Sequence, residues 1–408
     1  MKSFDKAREK LLESITTVGL ETIDLALAHN RVLAQDFLAP IAFPLFATSS
    51  MDGFALLSAD IENASEANPT ELKIVGDIPA GTFTDQKVNS GSAMRIMTGA
   101  PLPAGADTVL PVELTDIHER GPDFPLPSKI RAMRSLKPGK HVRPVGQDFQ
   151  IGDRLLKKGS YLRAQEIALL AMNGVEEVSV YKQVRIAMFS SGDELQLPGD
   201  ELGQGQIYES NSYSISALAK NLGAEIIQLP IAPDSLEAII SILDDAVHEN
   251  PNMIISSAGV SVGSHDYVRD AIESNGSLDL WRVNMRPGKP FAFGHYQGIP
   301  LLALPGNPVS SFVSFNVFAN PAIQHMSGRT EISRLKIWGI LSEDVKQNDR
   351  ESFLRAIYYR KGDQLYVRLT GHQGSGNLFS LVQANCLVRI PAGKEAHKAG
   401  TKIEIWPF

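Results

Sequence analysis

Residues 252–266, NMIISSAGVSVGSHD, constrain the fold more than any other stretch of this chain. Met253, Ile254 and Ile255 form the kind of apolar run that is buried on both faces of a sheet. The run stops in small residues: Ser256, Ser257, Ala258, Gly259, Ser261, Gly263 and Ser264. A helical stripe follows in Tyr267, Val268, Ala271 and Ile272. Strand, loop of small residues, helix is an order that lets backbone approach an anion at a helix N-terminus. Asp266 adds a carboxylate there, which suggests a bridging cation. A tight turn with Asp266 capping the helix fits the same residues, and on this stretch alone the two readings weigh equally.

The neighbouring sequence repeats the pattern. VRIAMF (184–189) reads as a buried strand and SSGDEL (190–195) as its loop. ESNSYSISALAKNLG (209–223) reads as a helix with N-cap candidates Ser210 and Asn211. AEIIQLPIAPD (224–234) reads as a strand, and SLEAIISILDDAVHEN as a helix. Strands alternating with helices predict a parallel sheet with right-handed crossovers. Ligands bind such sheets beyond the carboxyl ends of the strands, where Asp193, Glu194, Asp234 and Asp266 fall. RPGKP (286–290) sets Arg286 and Lys289 on a loop stiffened by Pro287 and Pro290. PGNP (305–308) joins an apolar strand to an apolar helix, with Gly306 and Asn307 free to take positive φ. Either loop alone also reads as an ordinary basic turn or helix start. Together, four carboxylates, two cations and two loops of small residues suit a polyanionic substrate with a divalent metal.

A chain of 408 residues implies several domains. Residues 3–18 read as an amphipathic helix, and 22–40 as a second amphipathic stretch. Asp52-Gly53 is a turn feeding the strand 54–57. Residues 70–115 read as an all-β module, 116–135 as a surface loop or edge hairpin, and 164–173 as a helix stopped by Gly174. Residues 334–408 read as a small barrel-like β domain whose chemistry is Arg355 and the loop 370–377. A net charge of −7 gives no global basic field for nucleic acid. No apolar run is long enough to span a membrane, and the charged N-terminal helix is unlike a signal peptide. The single cysteine, Cys386, excludes an internal disulfide and a cysteine-built metal site. A cytoplasmic location and a buried, inert thiol are expected.

The segments SSMDGFAL, MRIMTGAPLPAGADTV, SSGDEL, SSAGVSVGSHDY, RPGKPFAFG and LPGNPVSSF together resemble the molybdopterin molybdenumtransferase family, related to the second half of gephyrin. They occur in the family's order and span almost the whole chain. The resemblance implies a multidomain α/β protein with added β modules. Residues 1–45 and 140–178 would form a discontinuous linker and dimerisation domain, and 46–139 an inserted β domain. Residues 179–327 would form the central parallel α/β molybdopterin-binding domain, and 328–408 the C-terminal barrel-like domain. The implied reaction inserts molybdate into adenylylated molybdopterin, giving molybdenum cofactor and AMP, with Mg²⁺ as cofactor. The implied assembly is a homodimer, working with other cofactor biosynthesis proteins and with neither nucleic acid nor membrane.

Residue by residue, the resemblance implies activity roles for Asp52, Thr98, Asp148, Glu194 and Asp266, and metal ligation by Asp234 and Asp266. It implies substrate contacts from Ser257, Gly259, Ser261, Gly263, Arg286, Lys289, Pro305, Pro308 and Ser310. Arg355 and Ser375 would complete an oxyanion pocket, supplied by the chain opposite to the one carrying Asp266. Three positions depart from the family's pattern. Ala258 stands for a glycine, Arg286 for a lysine, and Ser264-His265 for an acidic-small pair. Two other readings fit a related α/β domain: a molybdopterin adenylyltransferase-like enzyme, and a non-catalytic scaffold.

Overall fold

The computed structural model describes residues 3–117, 125–258, 267–332, 335–346, 349–393 and 395–408. It divides into two compact units, Met1–Gln35 with Lys157–Phe408, and Asp36–Leu156.

The larger unit is built on a six-stranded sheet. Its order is Glu225–Gln228, Arg185–Ser190, Met253–Ser257, Ile299–Leu304, Ala292–Tyr296, Gly276–Trp281. Ile186, Met188, Met253 and Ile255 face one hydrophobic core, and Ala187, Phe189 and Ile254 face another, which is why these strands read as unbroken apolar runs. Helix Leu236–His248 buries Ile239, Ile242, Leu243 and Ala246 along one stripe. Ser235 Oγ caps it by accepting from the Ala238 amide at 3.2 Å. Each such fully buried Ile or Leu contributes about 1.5–3 kcal/mol.

The sheet is parallel over four strands only. Ala292–Tyr296 runs antiparallel to Ile299–Leu304, and Gly276–Trp281 antiparallel to Ala292–Tyr296, correcting a wholly parallel reading. The cause is local: Gln297 and Gly298 take φ of +47° and +82°, turning the chain back between Tyr296 and Ile299. A two-residue turn of that hand matches the twist of paired strands.

The C-terminal strands close on themselves. Glu351–Lys361, Gln364–Leu369, Ile337–Leu341, Lys402–Pro407 and Cys386–Ile390 pair in that order, and the last pairs with the first. This is a closed five-stranded barrel. Cys386 is buried in it, and burial pushes its thiol up to about 12, as expected of an inert residue.

The N-terminal helix is Phe4–Glu13, shorter than its apolar pattern. The amphipathic stretch 22–40 is not a helix. Leu20–Asp24 forms a strand with Glu177–Tyr181, followed by one 3₁₀ turn, Leu25–Leu27. Helix Ala164–Met172 ends as its sequence indicates, with Gly174 at φ +75°.

The smaller unit carries a five-stranded sheet ordered Thr108–Pro111, Gly53–Leu56, Ser92–Ile96, Thr70–Ile78, Lys129–Ala132. Region 116–135 therefore contributes an edge strand. The unit also takes in Phe37–Leu38, which pairs with Arg154–Leu156. A Cβ on Gly53 would lie 2.1 Å from the Leu110 carbonyl oxygen, so only glycine fits beside Asp52.

Candidate active site

The carboxyl edge of the central sheet gathers three acids. Asp193 and Glu194 follow strand Arg185–Ser190, and Asp234 lies past Glu225–Gln228. Asp193 Oδ1 accepts from the Asp234 amide at 3.1 Å. Burial, then the charges of Asp193 and Glu194, push the Asp234 carboxyl above its usual range. Among the described residues, no three His, Cys, Asp or Glu side chains form a group that could hold a metal. Gly259, Ser261, Gly263 and Asp266 lie outside the described residues.

The loops of small residues divide differently from their sequence reading. Ser257 is fully buried, and its Oγ accepts from Asn211 Nδ2 at 2.7 Å, so it anchors the strand end rather than facing a ligand. Pro305 and Ser310 are also buried, Pro308 is half-buried at the start of helix Pro308–Ser314, and Gly306 and Asn307 are exposed. Asn307 has φ −66°, not a positive value; the left-handed residue here is Ala258, at +79°. Ala258 donates its amide to the Leu304 carbonyl at 3.0 Å.

Sequence reasoning missed four residues at this edge. Glu209, not Ser210, caps helix Asn211–Lys220: Glu209 accepts from the Ser212 amide at 2.8 Å and from Ser190 Oγ at 2.9 Å. The Ser191 and Ser256 hydroxyls are buried with no hydrogen-bond partner among the described residues. The fourth is Asn211, already noted at Ser257. Its position at a strand-to-helix junction was visible in the sequence, but its direction was not.

A second cluster joins this domain to the barrel. Met285–Arg286 pairs with Glu351–Ser352, carrying the RPGKP loop to the strand that bears Arg355. Arg355 is 0% exposed. Its Nε donates to Ser380 Oγ at 2.9 Å and its Nη2 to the Gly374 carbonyl at 2.9 Å. Its Nη1 is buried without a partner among the described residues. Burial and the neighbouring Arg286 charge lower the Arg355 guanidinium to about 10. Arg355 is thus a brace for loop 370–377. Ser375 belongs to that loop, and its carbonyl accepts from the Val309 amide at 3.1 Å. Arg355 and Ser375 therefore lie beside Arg286 and the PGNP helix of their own chain. Lys289 is half-buried in the same RPGKP loop.

In the smaller unit, Asp52 Oδ1 accepts from both the Thr98 amide and Thr98 Oγ1, each at 2.7 Å. These bonds hold the Asp52 carboxyl below its usual range. Both residues are exposed. Asp148 pairs with Arg143 at 2.6 Å.

Three family models match the chain in succession: MoeA N-terminal region (domain I and II) over residues 2–174, probable molybdopterin binding domain over 187–325, and MoeA C-terminal region (domain IV) over 339–408. A molybdopterin molybdenumtransferase of Haemophilus influenzae is 33% identical over 412 residues, covering 100% of this chain and 99% of its own. One of a Nostoc species is 34% identical over 390 residues, covering 94% and 87%. The crystal structure of the molybdopterin biosynthesis moeA protein from Pyrococcus horikoshii OT3 is 28% identical, with a TM-score of 0.83 over 100% of both chains. The strand-loop-helix edge, the cationic barrel mouth and the full-length identity agree: this chain belongs to the molybdopterin molybdenumtransferase family.

Proposed function

We propose that this protein transfers molybdenum from molybdate to adenylylated molybdopterin, yielding molybdenum cofactor and AMP. One observation carries the reading. Arg355 is a buried cation whose Nη1 has no partner among the described residues and which feels the positive charge of Arg286. Burying a charge without an opposite one is costly, so a small anion at this place relieves both arginines. Molybdate, a tetrahedral dianion, has the charge and the acceptor oxygens to take donors from Arg355, Arg286, Lys289 and Ser375.

The carboxyl edge serves the other substrate. Adenylylated molybdopterin would rest on the side-chain-poor loops after Met253–Ser257 and Ile299–Leu304. Among the described residues, the acids Asp193, Glu194 and Asp234 form no complete metal cage, and a hydrated Mg²⁺ would need only one or two carboxylates plus substrate phosphate. Asp234 is its first ligand in this reading, with Asp266 as the second. When bound, the ion would withdraw charge from the phosphate oxygens. The dithiolene sulfurs of the substrate receive the metal, so the protein needs only to position and to neutralise. Asp52 with Thr98, and Asp148, are assigned to the same reaction by family resemblance. A homodimer, a cytoplasmic location and the four-domain division belong to this reading as well.

The test is to incubate the purified protein with adenylylated molybdopterin and to follow AMP and molybdenum cofactor by mass spectrometry, with and without molybdate and magnesium. Molybdate-dependent cofactor formation is expected. AMP release with no molybdenum in the product overturns the reading.

A further inference from the structure

Building on that reading, we infer that Asn211 is a positioning residue for the pterin subsite: its amide holds the end of strand Met253–Ser257 and the PGNP loop in one register. Both hydrogens of Nδ2 are committed, one to Ser257 Oγ and one to the Gly306 carbonyl, each at 2.7 Å. The two loops also run close together, since a Cβ on Gly306 would lie 3.1 Å from Ala258 Cβ. The Ala258 amide adds a third tie, to the Leu304 carbonyl.

The amide is carried by a rigid element. Asn211 opens helix Asn211–Lys220, which is capped by the buried Glu209 and packed into the core through Ile215 and Ala219. Residues locked by packing hold a site far better than residues on free loops. Side-chain length also selects asparagine. Aspartate would set oxygen against the Gly306 carbonyl, and glutamine would overshoot by one methylene. Ser257, fully buried, is then the anchor point of the pterin loop, which explains a small hydroxyl residue there. The oxyanion pocket keeps the bonds of Arg355 to Ser380 and Gly374, and meets the latched PGNP loop through the Val309 amide, which donates to the Ser375 carbonyl.

The consequence is a split between the two substrates. In Asn211→Asp, the affinity for adenylylated molybdopterin should fall about tenfold, the effect of losing the bond to the Gly306 carbonyl and setting a carboxylate against it. The molybdate concentration for half-maximal AMP release, measured at saturating pterin, should shift less than the pterin affinity, because the bonds of Arg355 to Ser380 and Gly374 are untouched by the change. Hydrogen exchange in the free protein should quicken at the Ala258 amide. In Asn211→Ala and Ser257→Ala, the two losses of pterin affinity should overlap rather than multiply when the changes are combined. Unchanged exchange at Ala258 in Asn211→Asp overturns the latch, as does an equal shift in pterin and molybdate dependence. If wild type itself releases no AMP, the assigned reaction fails, while the exchange measurement still decides the latch.

Discussion

Two patches of the larger unit each crowd charges of one sign, and they do so in opposite solvents. At the carboxyl edge, Asp193, Glu194 and Asp234 are all exposed. Their repulsion is shared with water, weakened by salt over a Debye length of about 8 Å, and relieved by protonation. At the barrel mouth Arg355 is dry, and it keeps its proton until the pH rises to about 10. The Ser380 hydroxyl and carbonyl oxygens solvate it in place of water, and a bound anion would neutralise it. The first patch is a soft, tunable cation attractor. The second is part of the framework, and loading it with an anion should tighten the barrel loop as well as the site. Asp52 shows a third solution: Thr98 satisfies it locally, and it needs neither.

The largest effect expected from this contrast is at Arg355. Truncating a buried side chain of that size, with the bonds that brace loop 370–377, should cost about 2–5 kcal/mol of stability. In Arg355→Ala, excess molybdate should then recover only part of the AMP release, because the pocket's wall has moved. Arg355→Lys should recover less than wild type, since one ammonium cannot reach Ser380 and Gly374 together. Thermal melts run beside molybdate titrations separate the two roles. A fully stable Arg355→Ala protein cured by excess molybdate would mean the guanidinium reads the anion alone.

Arg286 is the exposed partner of that pocket, and it sharpens the contrast. Arg286→Gln should leave the fold intact and raise the molybdate requirement roughly tenfold, the worth of one charge-assisted hydrogen bond. Its removal also relieves Arg355 of a like charge. The high-pH fall in activity attributable to Arg355 should therefore move upward, which a pH series near 10 would reveal. Loss of stability in Arg286→Gln would show that the two cations are not opposed.

The sequence made the framework of both patches legible but not their solvation. Helix Leu236–His248 and strands Arg185–Ser190 and Met253–Ser257 are periodic and local, so their pattern was enough. Residues 22–40 misled because their partners lie far along the chain: Leu20–Asp24 pairs with Glu177–Tyr181 and Phe37–Leu38 with Arg154–Leu156. Amphipathic spacing says nothing of such pairing. The antiparallel end of the sheet was signalled by Gln297-Gly298, a turn that the prevailing β-α alternation concealed. Arg355 was named from family resemblance, yet its strand lacks strict alternation, with Ser352, Phe353, Arg355 and Ala356 all buried. No pattern in SFLRAIYYR distinguishes a buried arginine from a solvated one.

A smaller effect is expected at Asp234. Its carboxyl titrates above the usual range, so the folded protein favours the protonated form. Its contribution to stability is present in acid and is lost as the pH rises through its folded value. Asp234→Asn should therefore stabilise at neutral pH by about 0.2–1 kcal/mol, screened as exposed charges are, and the gain should vanish at low pH. The same variant should lose magnesium-dependent AMP release. Urea melts at neutral and acid pH give the first half, and a magnesium titration the second. A neutral-pH loss of stability would mean that the three acids already share an attractive partner.

The smallest effect tests the loop assigned to the pterin. Ala258 holds φ +79°, a conformation that costs a residue with a Cβ about 1–2 kcal/mol. Its position is enforced by its amide bond to Leu304 and by contact with Gly306. Ala258→Gly removes the steric cost but gives the unfolded chain more freedom, a loss of about 0.4–1 kcal/mol. The net gain should be about 0–1.6 kcal/mol, because the left-handed penalty is the larger of the two. Activity should hold or fall slightly, since the same freedom loosens the turn that follows Ser257. Equilibrium unfolding of Ala258→Gly beside wild type decides the sign. A destabilised variant would show that the alanine methyl, packed toward Gly306, contributes more than its backbone costs, and that the departure from glycine here stiffens the pterin loop.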